Sequence, residues 1–303
     1  MNFNKNIKSD ALTALKSNWL KTIGISLTCF LIFGISNIIE SGTLAFAHCK
    51  YFSIIDLFNN LIFIKLNSMS LSSLPISELM FILISFSIGL IYCLINSVLN
   101  NGIVDWNYSV ISNKNSDFLN IFSYFSSFKR ILLSWYISLQ LFLRKIFWAI
   151  LIFSPSILIF SWSILATVYQ NKVNNKVLIP FGYILALCLA IVAFVICLIF
   201  LQRYALTRYL IISGECNKVR KAIKLSIKIM NGKKAEYLWL ICSFIGWFLT
   251  CIFVLPLFFV LPYFNISLTL YYRYLIEEFN YNKNLIENNK LTEKNNLIEK
   301  EQA

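Results

Sequence analysis

Apolar residues are grouped along the chain in long runs that contain few charged side chains. A helix needs roughly 20 mostly apolar residues to cross about 30 Å of hydrocarbon, and several runs approach or exceed this length. The pattern predicts an all-α, polytopic membrane bundle of about six transmembrane helices. The predicted spans are residues 22–39, 79–99, 146–168, 177–201, 237–255 and 257–275. They belong to one membrane-embedded domain, 1–276, followed by a cytoplasmic polar tail, 277–303.

Two amphipathic segments outside these spans predict helices that lie on the inner membrane surface. In the N-terminal stretch, apolar residues recur at helical spacing beside four lysines, and they are Ile7, Ala11, Ala14 or Leu15, and Trp19. In the second segment, residues 117–128, phenylalanines recur at steps of three and four. The apolar residues 131–142 that follow are too few to cross a membrane, so we expect them to continue at the interface before Arg144-Lys145 open the third span.

The segment 202–236 contains a basic amphipathic helix. One face carries Val219, Ala222 or Ile223, Ile227 and Met230, whereas Lys221, Lys224 and Lys228 occupy the other. Asn231-Gly232 predicts a left-handed cap at its end. Each Lys or Arg near an anionic leaflet contributes about 1 kcal/mol of attraction, so this segment is the candidate anionic-lipid surface. Its residues are Arg203, Arg208, Lys218, Arg220, Lys221, Lys224, Lys228, Lys233 and Lys234.

The distribution of Lys and Arg predicts the orientation of the chain. Counted by side, 23 of these residues fall in the N-terminal stretch, the alternate loops and the tail, whereas only Lys50, Lys65, Lys172 and Lys176 fall in the intervening loops. Because basic residues are enriched on the cytoplasmic side, both termini are predicted to be inside and the number of spans to be even. The expected location is the cell membrane.

Several segments leave more than one interpretation open. Pro256 and Pro262 indicate a break between Val254 and Tyr263, so residues 237–276 hold either two tightly connected spans or one span and a half-helix. Residues 51–66 form either a helix on the outer interface or a re-entrant segment. Ala45-Phe46-Ala47 has the form of a signal-peptidase site, although an uncleaved first span is expected. The tail is either a weakly periodic helix or solvated and partly disordered.

Composition supports a membrane protein and excludes a soluble one. Hydrophobic residues make up 58% of the 303 residues and charged residues only 14%, against about 45–50% and 25% in soluble domains. A soluble chain of this length has too much surface to hide that much apolar area. The net charge of +13 does not indicate nucleic-acid binding, because the basic residues flank apolar runs instead of forming a basic domain.

The residues that carry chemistry in enzymes are scarce. The eight cysteines form no C-x-x-C pair and His48 is the single histidine, so a metal site of ordinary Cys/His spacing is excluded. No metalloprotease, nucleophile-elbow or P-loop motif is present. Acidic residues lie near or beyond the ends of the spans, which argues against ion-coupled transport. We therefore predict neither an enzyme nor a cofactor.

A cluster of asparagines, Asn96, Asn100 and Asn101, lies near the inner end of the second span. It is interpreted as a source of hydrogen bonds between helices, which average about 0.6 kcal/mol each in membranes. A substrate contact is the alternative.

The C-terminal third resembles a bacterial membrane family, domain of unknown function 975. The matching residues are Ala222-Ile223, Ser226, Met230, Gly232 and Lys234, then the S-F-I-G-W motif at 243–247, Leu261-Pro262-Tyr263 and Tyr271-Tyr272. At the other end, Ala11, Leu15, Lys16, Asn18 and Trp19 are similar to the opening signature of that family. The resemblance implies a bacterial multipass protein and leaves its activity open.

Three functions are compatible with these features. The first is a non-enzymatic protein that organises the membrane or assists a membrane protein partner, as the basic surface and the missing catalytic groups indicate. The alternative is a transporter or channel for a small or amphiphilic solute, suggested by the spans and the proline breaks. A lipid-active enzyme is the third and has the least support.

Overall fold

The computed structural model describes residues 2–46, 76–112, 117–168 and 178–302, and within them it contains helices and no strand. The expectations for Ala47 and for residues 51–66 lie outside the described residues. The helices, numbered here in chain order, are α1 Asn2–Leu15, α2 Trp19–Phe46, α3 Ile76–Ile111, α4 Phe128–Val168, α5 Leu178–Leu201, α6 Thr207–Ile212, α7 Val219–Ile229, α8 Lys234–Cys242, α9 Ile245–Thr250 and α10 Val254–Gln302, with 3₁₀ helices at Phe118–Phe125 and Gln202–Tyr204.

Five helices of the described residues are long and apolar enough to cross a membrane, which confirms the all-α membrane fold but not the predicted count of six. The apolar stretches are Trp19–Ala45, Met80–Ile111, Phe128–Thr167, Pro180–Ile212 and Leu255–Asn288. The predicted span 237–255 is not one helix, because it divides into α8 and α9, of 9 and 6 residues.

Backbone hydrogen bonding marks this interruption. The Ser243 amide still donates to the Trp239 carbonyl oxygen at 3.0 Å, four residues back, whereas the Phe244 amide donates to the Ile241 carbonyl oxygen at 2.9 Å. This three-residue contact replaces the four-residue ladder of an α-helix at that point. A second turn at 251–253 precedes α10, so the break lies just before the predicted interval. Pro256 falls in the first turn of α10, where its missing N–H costs nothing, and Pro262 lies inside that helix.

Two further segments belong to long continuous helices. Residues 131–142 are part of α4, which runs unbroken over 41 residues and includes Arg144-Lys145 and Pro155. At the other end, α10 continues to Gln302, so the helical alternative for the tail is the one found. In both segments the backbone hydrogen bonds of the helix continue through polar residues. These bonds do not depend on the polar side chains at which the predicted spans end.

The described residues group into two compact units. The smaller unit contains α2, most of α3, the 3₁₀ helix Phe118–Phe125 and the first turns of α4. Here Asn101 donates from Nδ2 to Ser134 Oγ at 2.9 Å, the kind of interhelical bond expected for the asparagine cluster, whereas Asn100 bonds within its own helix to Asn96. A Cβ at Gly102 would overlap the Ile121 carbonyl oxygen, so glycine permits this close approach.

The larger unit contains α1, the end of α3, most of α4 and every element from α5 onward. As predicted, α1 buries Ile7, Ala11 and Leu15. Helix α7 buries Val219, Ala222, Ile223, Ser226 and Ile229 on one face, so its lysines project from the other. The chain then leaves α7 through Gly232, whose φ of +83° confirms the left-handed cap. This arrangement positions the candidate site.

Candidate anion-binding pocket

A small cavity of about 270 Å³ opens beside the charged face of α7. Its walls, called here the basic pocket, are formed by Arg203, Lys224, Ile227, Lys228, Asn231 and Lys234. Four of these six side chains are cationic, and no Asp or Glu of the described residues lines the cavity. The volume lies just below the range of roughly 300–1,000 Å³ that is usual for drug-sized ligands, which suits one small polar group.

The amphipathic pattern of α7 explains why these residues meet. Lys224 and Lys228 are four residues apart and share the face opposite the buried stripe. The turn at Gly232 leads into α8, whose first residue, Lys234, lines the same cavity. Arg203 comes from the 3₁₀ turn that follows α5, and its carbonyl oxygen accepts a 2.8 Å hydrogen bond from the Ser226 hydroxyl on α7.

Aromatic rings hold several of these cations in place. The Arg203 guanidinium lies 3.8 Å from the centroid of the Phe200 ring and 5.7 Å from that of Trp148. Lys234 Nζ lies 5.7 Å from the same Phe200 centroid. Lys228 Nζ is 5.3 Å from the ring of Phe279 on α10. Cation–π contacts of this kind fix the direction of a charge without neutralising it.

The charge of the basic pocket is not compensated within the described part of the chain. The Nε atom of Arg203 is buried and has no hydrogen-bond partner among the described residues. None of the four pocket cations forms an ion pair with a carboxylate that the structure describes. An anion with several acceptor oxygens in the cavity would offset the mutual repulsion of the cations.

The other five residues of the predicted lipid surface lie outside this pocket. Lys233 forms ion pairs with Glu278 at 3.0 Å and Glu236 at 3.6 Å, and the hydrogen bond to Glu278 raises the pKa of the Lys233 amine. Arg208 donates from Nη2 to Ser138 Oγ at 3.0 Å. The remaining three residues, Lys218, Arg220 and Lys221, are exposed. The structure therefore gathers four of the nine predicted cations.

Sequence reasoning missed three residues that line the pocket or contact its cations. Phe200 lies inside an uninterrupted apolar run, so only its spacing of three residues before Arg203 marks it as a partner of that cation. The sequence indicates Asn231 only as part of the cap of α7, but Asn231 also lines the cavity. Phe279 belongs to the predicted polar tail, and only the packing of α10 brings it to Lys228.

The geometry supports binding of an anion and offers no recognisable metal chemistry in the described region. Within that region, no three His, Cys, Asp or Glu side chains come together as metal ligands. The pocket presents guanidinium and ammonium donors, an amide and one aliphatic side chain. Such a set recognises phosphate or carboxylate oxygens.

Comparison with known proteins identifies the family. The chain belongs to the family of proteins of unknown function DUF975, whose model matches residues 1–278. This match confirms the resemblance inferred from the sequence motifs. No curated protein and no solved structure matches the chain.

Proposed function

We propose that this protein is a non-enzymatic, multipass cell-membrane protein that binds an anionic phospholipid in the basic pocket and thereby organises the membrane around a partner. The observation that carries the proposal is the uncompensated charge of that pocket, whose four cations form no ion pair with a described carboxylate. Anionic headgroups supply the oxygens that such donors require.

The position of the pocket supports a lipid as the source of the anion. Phe200 is the penultimate residue of α5, so Arg203 follows directly after an apolar helix of 24 residues. Trp148 packs on Phe200 with ring centroids 4.5 Å apart, and tryptophan is enriched at headgroup depth. A headgroup at this level would meet the cations while its acyl chains remain beside α5. The proposed orientation, with both termini cytoplasmic, places the pocket at the anionic inner leaflet.

Native mass spectrometry of the full-length protein in detergent tests this proposal. Phosphatidylglycerol and phosphatidylcholine would be titrated separately onto the wild type, the double variant Lys224→Ala/Lys228→Ala and the matched control Arg220→Ala/Lys221→Ala. Both variants remove two charges from α7, but only the first alters the pocket. We expect tight binding of phosphatidylglycerol to the wild type and the control, and at least tenfold weaker binding to the pocket variant.

Two results would contradict the proposal. Equal losses in both double variants would show general attraction to a basic surface and no defined site. Inorganic phosphate that competes as well as the lipid, at equal concentration, would indicate a soluble anion as the ligand.

The accessory role is tested by purifying the tagged protein from native membranes in mild detergent. A stoichiometric membrane protein partner would support it, and the pocket variant should retain less of that partner. If the protein purifies alone and its deletion has no partner-dependent effect, the accessory role is wrong even where lipid binding holds.

One observation favours the alternative of a transporter or channel. The interruption between α8 and α9 exposes the Ser243 carbonyl oxygen, which accepts a 2.8 Å hydrogen bond from Lys8 Nζ. Discontinuous helices whose backbone groups bind charged partners occur at the substrate sites of many transporters. Solute flux into vesicles that contain the purified protein would support this function, and no flux across a broad panel of anionic and amphiphilic solutes would exclude it.

A further inference from the structure

Helices α8, α9 and the first part of α10 form an antiparallel hairpin with two legs of similar length. Near the open end, the hydroxyls of Tyr237 and Tyr272 lie 2.8 Å apart. Further along, the Phe244 ring packs on Tyr263 and Phe264 with centroid distances of 5.1 and 5.3 Å. The legs join through the turn at 251–253, so Phe244 and Tyr263 mark the middle of the hairpin.

Helix α1 packs against this midpoint. Lys8 Nζ lies 4.2 Å from the centroid of the Phe244 ring and donates to the Ser243 carbonyl oxygen. A cavity on the same side is lined by α1 residues, including Lys5, Lys8 and Lys16, together with Tyr263 of α10. The depth of α1 in the membrane therefore determines the depth of the hairpin's midpoint.

The charges of α1 place it at the membrane surface. Lys5 and Lys16 are exposed and Lys8 is half-exposed, whereas the opposite face of the helix is buried against the rest of its unit. Ammonium groups are costly at the centre of a bilayer, and basic amphipathic helices lie at its interface. If the hairpin crossed the membrane, its midpoint would hold these lysines near the bilayer centre. A midpoint at headgroup depth avoids that cost.

The tip of the hairpin is apolar, and its side chains are not buried by other described parts of the protein. Four large apolar side chains there are between 63% and 80% exposed, and they are Leu249, Ile252, Phe253 and Leu255. Tyr263 is nine residues into α10, so the tip extends about 14 Å beyond the level of α1. That reach matches the roughly 15 Å hydrocarbon depth of one leaflet and is about half of what a crossing requires.

We propose that this hairpin is re-entrant: its tip inserts into the acyl chains of the leaflet that α1 lies on and returns to the same side. Four helices, α2 to α5, then cross completely, which preserves the even number of crossings that the distribution of Lys and Arg requires. The inference shares the cell-membrane location of the proposed function but sets a different depth: Lys234 precedes Phe244 by ten residues, about 15 Å of helix, so a midpoint at headgroup depth leaves the basic pocket on the cytoplasmic side of the headgroups. A re-entrant hairpin would therefore favour a soluble anion as the ligand of the pocket, and the native mass spectrometry titration tests that separately.

Cysteine accessibility in the full-length protein tests the inference. The eight native cysteines would be replaced, and single cysteines introduced by Ile252→Cys at the tip, Ser41→Cys near the outer end of α2, Lys283→Cys in the tail and Lys5→Cys on α1. A membrane-impermeant maleimide would be applied to intact cells and to inverted vesicles. The same substitutions are also made with the native cysteines retained. In this second set the increase in maleimide labelling over wild type is measured, so no native cysteine has to be replaced.

The expected pattern differs between the four positions. Ser41→Cys should react from the outside, and Lys5→Cys and Lys283→Cys only from the inside. Ile252→Cys should react at least tenfold more slowly than these controls from either side and at a normal rate after denaturation in SDS. Fast reaction of Ile252→Cys from the outside would show that the hairpin crosses, and fast reaction from the inside would show that it does not insert. An unreactive Lys5→Cys would place α1 inside the membrane and also overturn the inference.

Discussion

Two groups of cations next to each other in the larger unit differ in how their charge is compensated. Lys233 and Lys234 are consecutive, but Lys233 is held between Glu278 and Glu236 while Lys234 faces the basic pocket with Arg203, Lys224 and Lys228. In the Lys233 group, defined here as Lys233, Glu236 and Glu278, the cation has two carboxylate partners, although Glu278 Oε2 is buried without a hydrogen-bond partner among the described residues. The basic pocket concentrates four positive charges, and no described carboxylate lines it.

This difference separates the structural role of Lys233 from the binding role proposed for the pocket. A compensated cation stabilises the fold, and a further anion gains little from approaching it. An uncompensated cluster is held together by other forces, here by cation–π contacts and by the packing of α7, so its charge remains available to a ligand. The comparison predicts that substitutions in the two groups have opposite effects on lipid affinity and on stability.

The largest effect on binding is expected for Arg203→Ala. A hydrogen bond to a charged group contributes about 1.5–3 kcal/mol, so affinity for phosphatidylglycerol should fall roughly 10- to 100-fold in a native mass spectrometry titration. Arg203→Lys is the matched control, because it retains the charge but removes the Nε donor, and it should recover only part of the loss. Unchanged affinity in Arg203→Ala would remove Arg203 from the site.

Lys224→Glu should abolish the difference between the two groups by placing a carboxylate in the basic pocket. The loss of one attraction and the gain of one repulsion, about 1 kcal/mol each, should weaken phosphatidylglycerol binding by roughly 30-fold. The new carboxylate lies four residues before Lys228, an orientation that stabilises helices by about 0.3–0.5 kcal/mol. The lipid-free variant should therefore melt slightly higher than wild type in detergent. A lower melting temperature would show that the pocket charges do not destabilise the fold.

Glu278→Gln should have the opposite signature. Lys233 and Glu278 are both about two-thirds buried, and losing their ion pair should lower the free energy of unfolding by about 1 kcal/mol while leaving lipid affinity unchanged. Because Glu278 raises the folded-state pKa of Lys233, this stabilisation is present at neutral pH and is lost as the pH rises above the ordinary lysine value of 10.5. Thermal unfolding of wild type and Glu278→Gln at pH 7 and pH 11 measures the stabilisation and its loss at high pH. Weaker lipid binding in Glu278→Gln would show that the Lys233 group also contributes to the lipid site.

The smallest effect is expected for Lys221→Ala. Lys221 lies one turn before Lys224 on the same helix but is exposed and lines no part of the basic pocket. Affinity for phosphatidylglycerol in detergent should change by less than about twofold, and stability by less than about 0.5 kcal/mol. A loss as large as that of Lys224→Glu would mean that the lipid binds along the whole charged face of α7.

Particular elements show why some of the site could be predicted and some could not. The alternation of buried and charged residues in α7 follows from helical periodicity, so Lys224 and Lys228 could be assigned to one face in advance. The cap at Gly232 followed from the residue type. In contrast, the pairing of Lys233 with Glu278 joins residues 45 positions apart, and the contact of Lys228 with Phe279 joins residues of different helices. Such contacts carry no local periodic signal.

The sequence by itself predicted a membrane protein, a helical fold and the family. Apolar runs longer than about 18 residues and apolar residues at helical spacing are local patterns that can be recognised without knowledge of the tertiary structure. Tertiary structure decided where the helix in 237–255 breaks, which four of nine cations share a pocket, and which helix lies against the middle of the hairpin. These outcomes depend on packing between distant segments and on competition among hydrogen-bond and charge partners. Composition and spacing do not specify that competition.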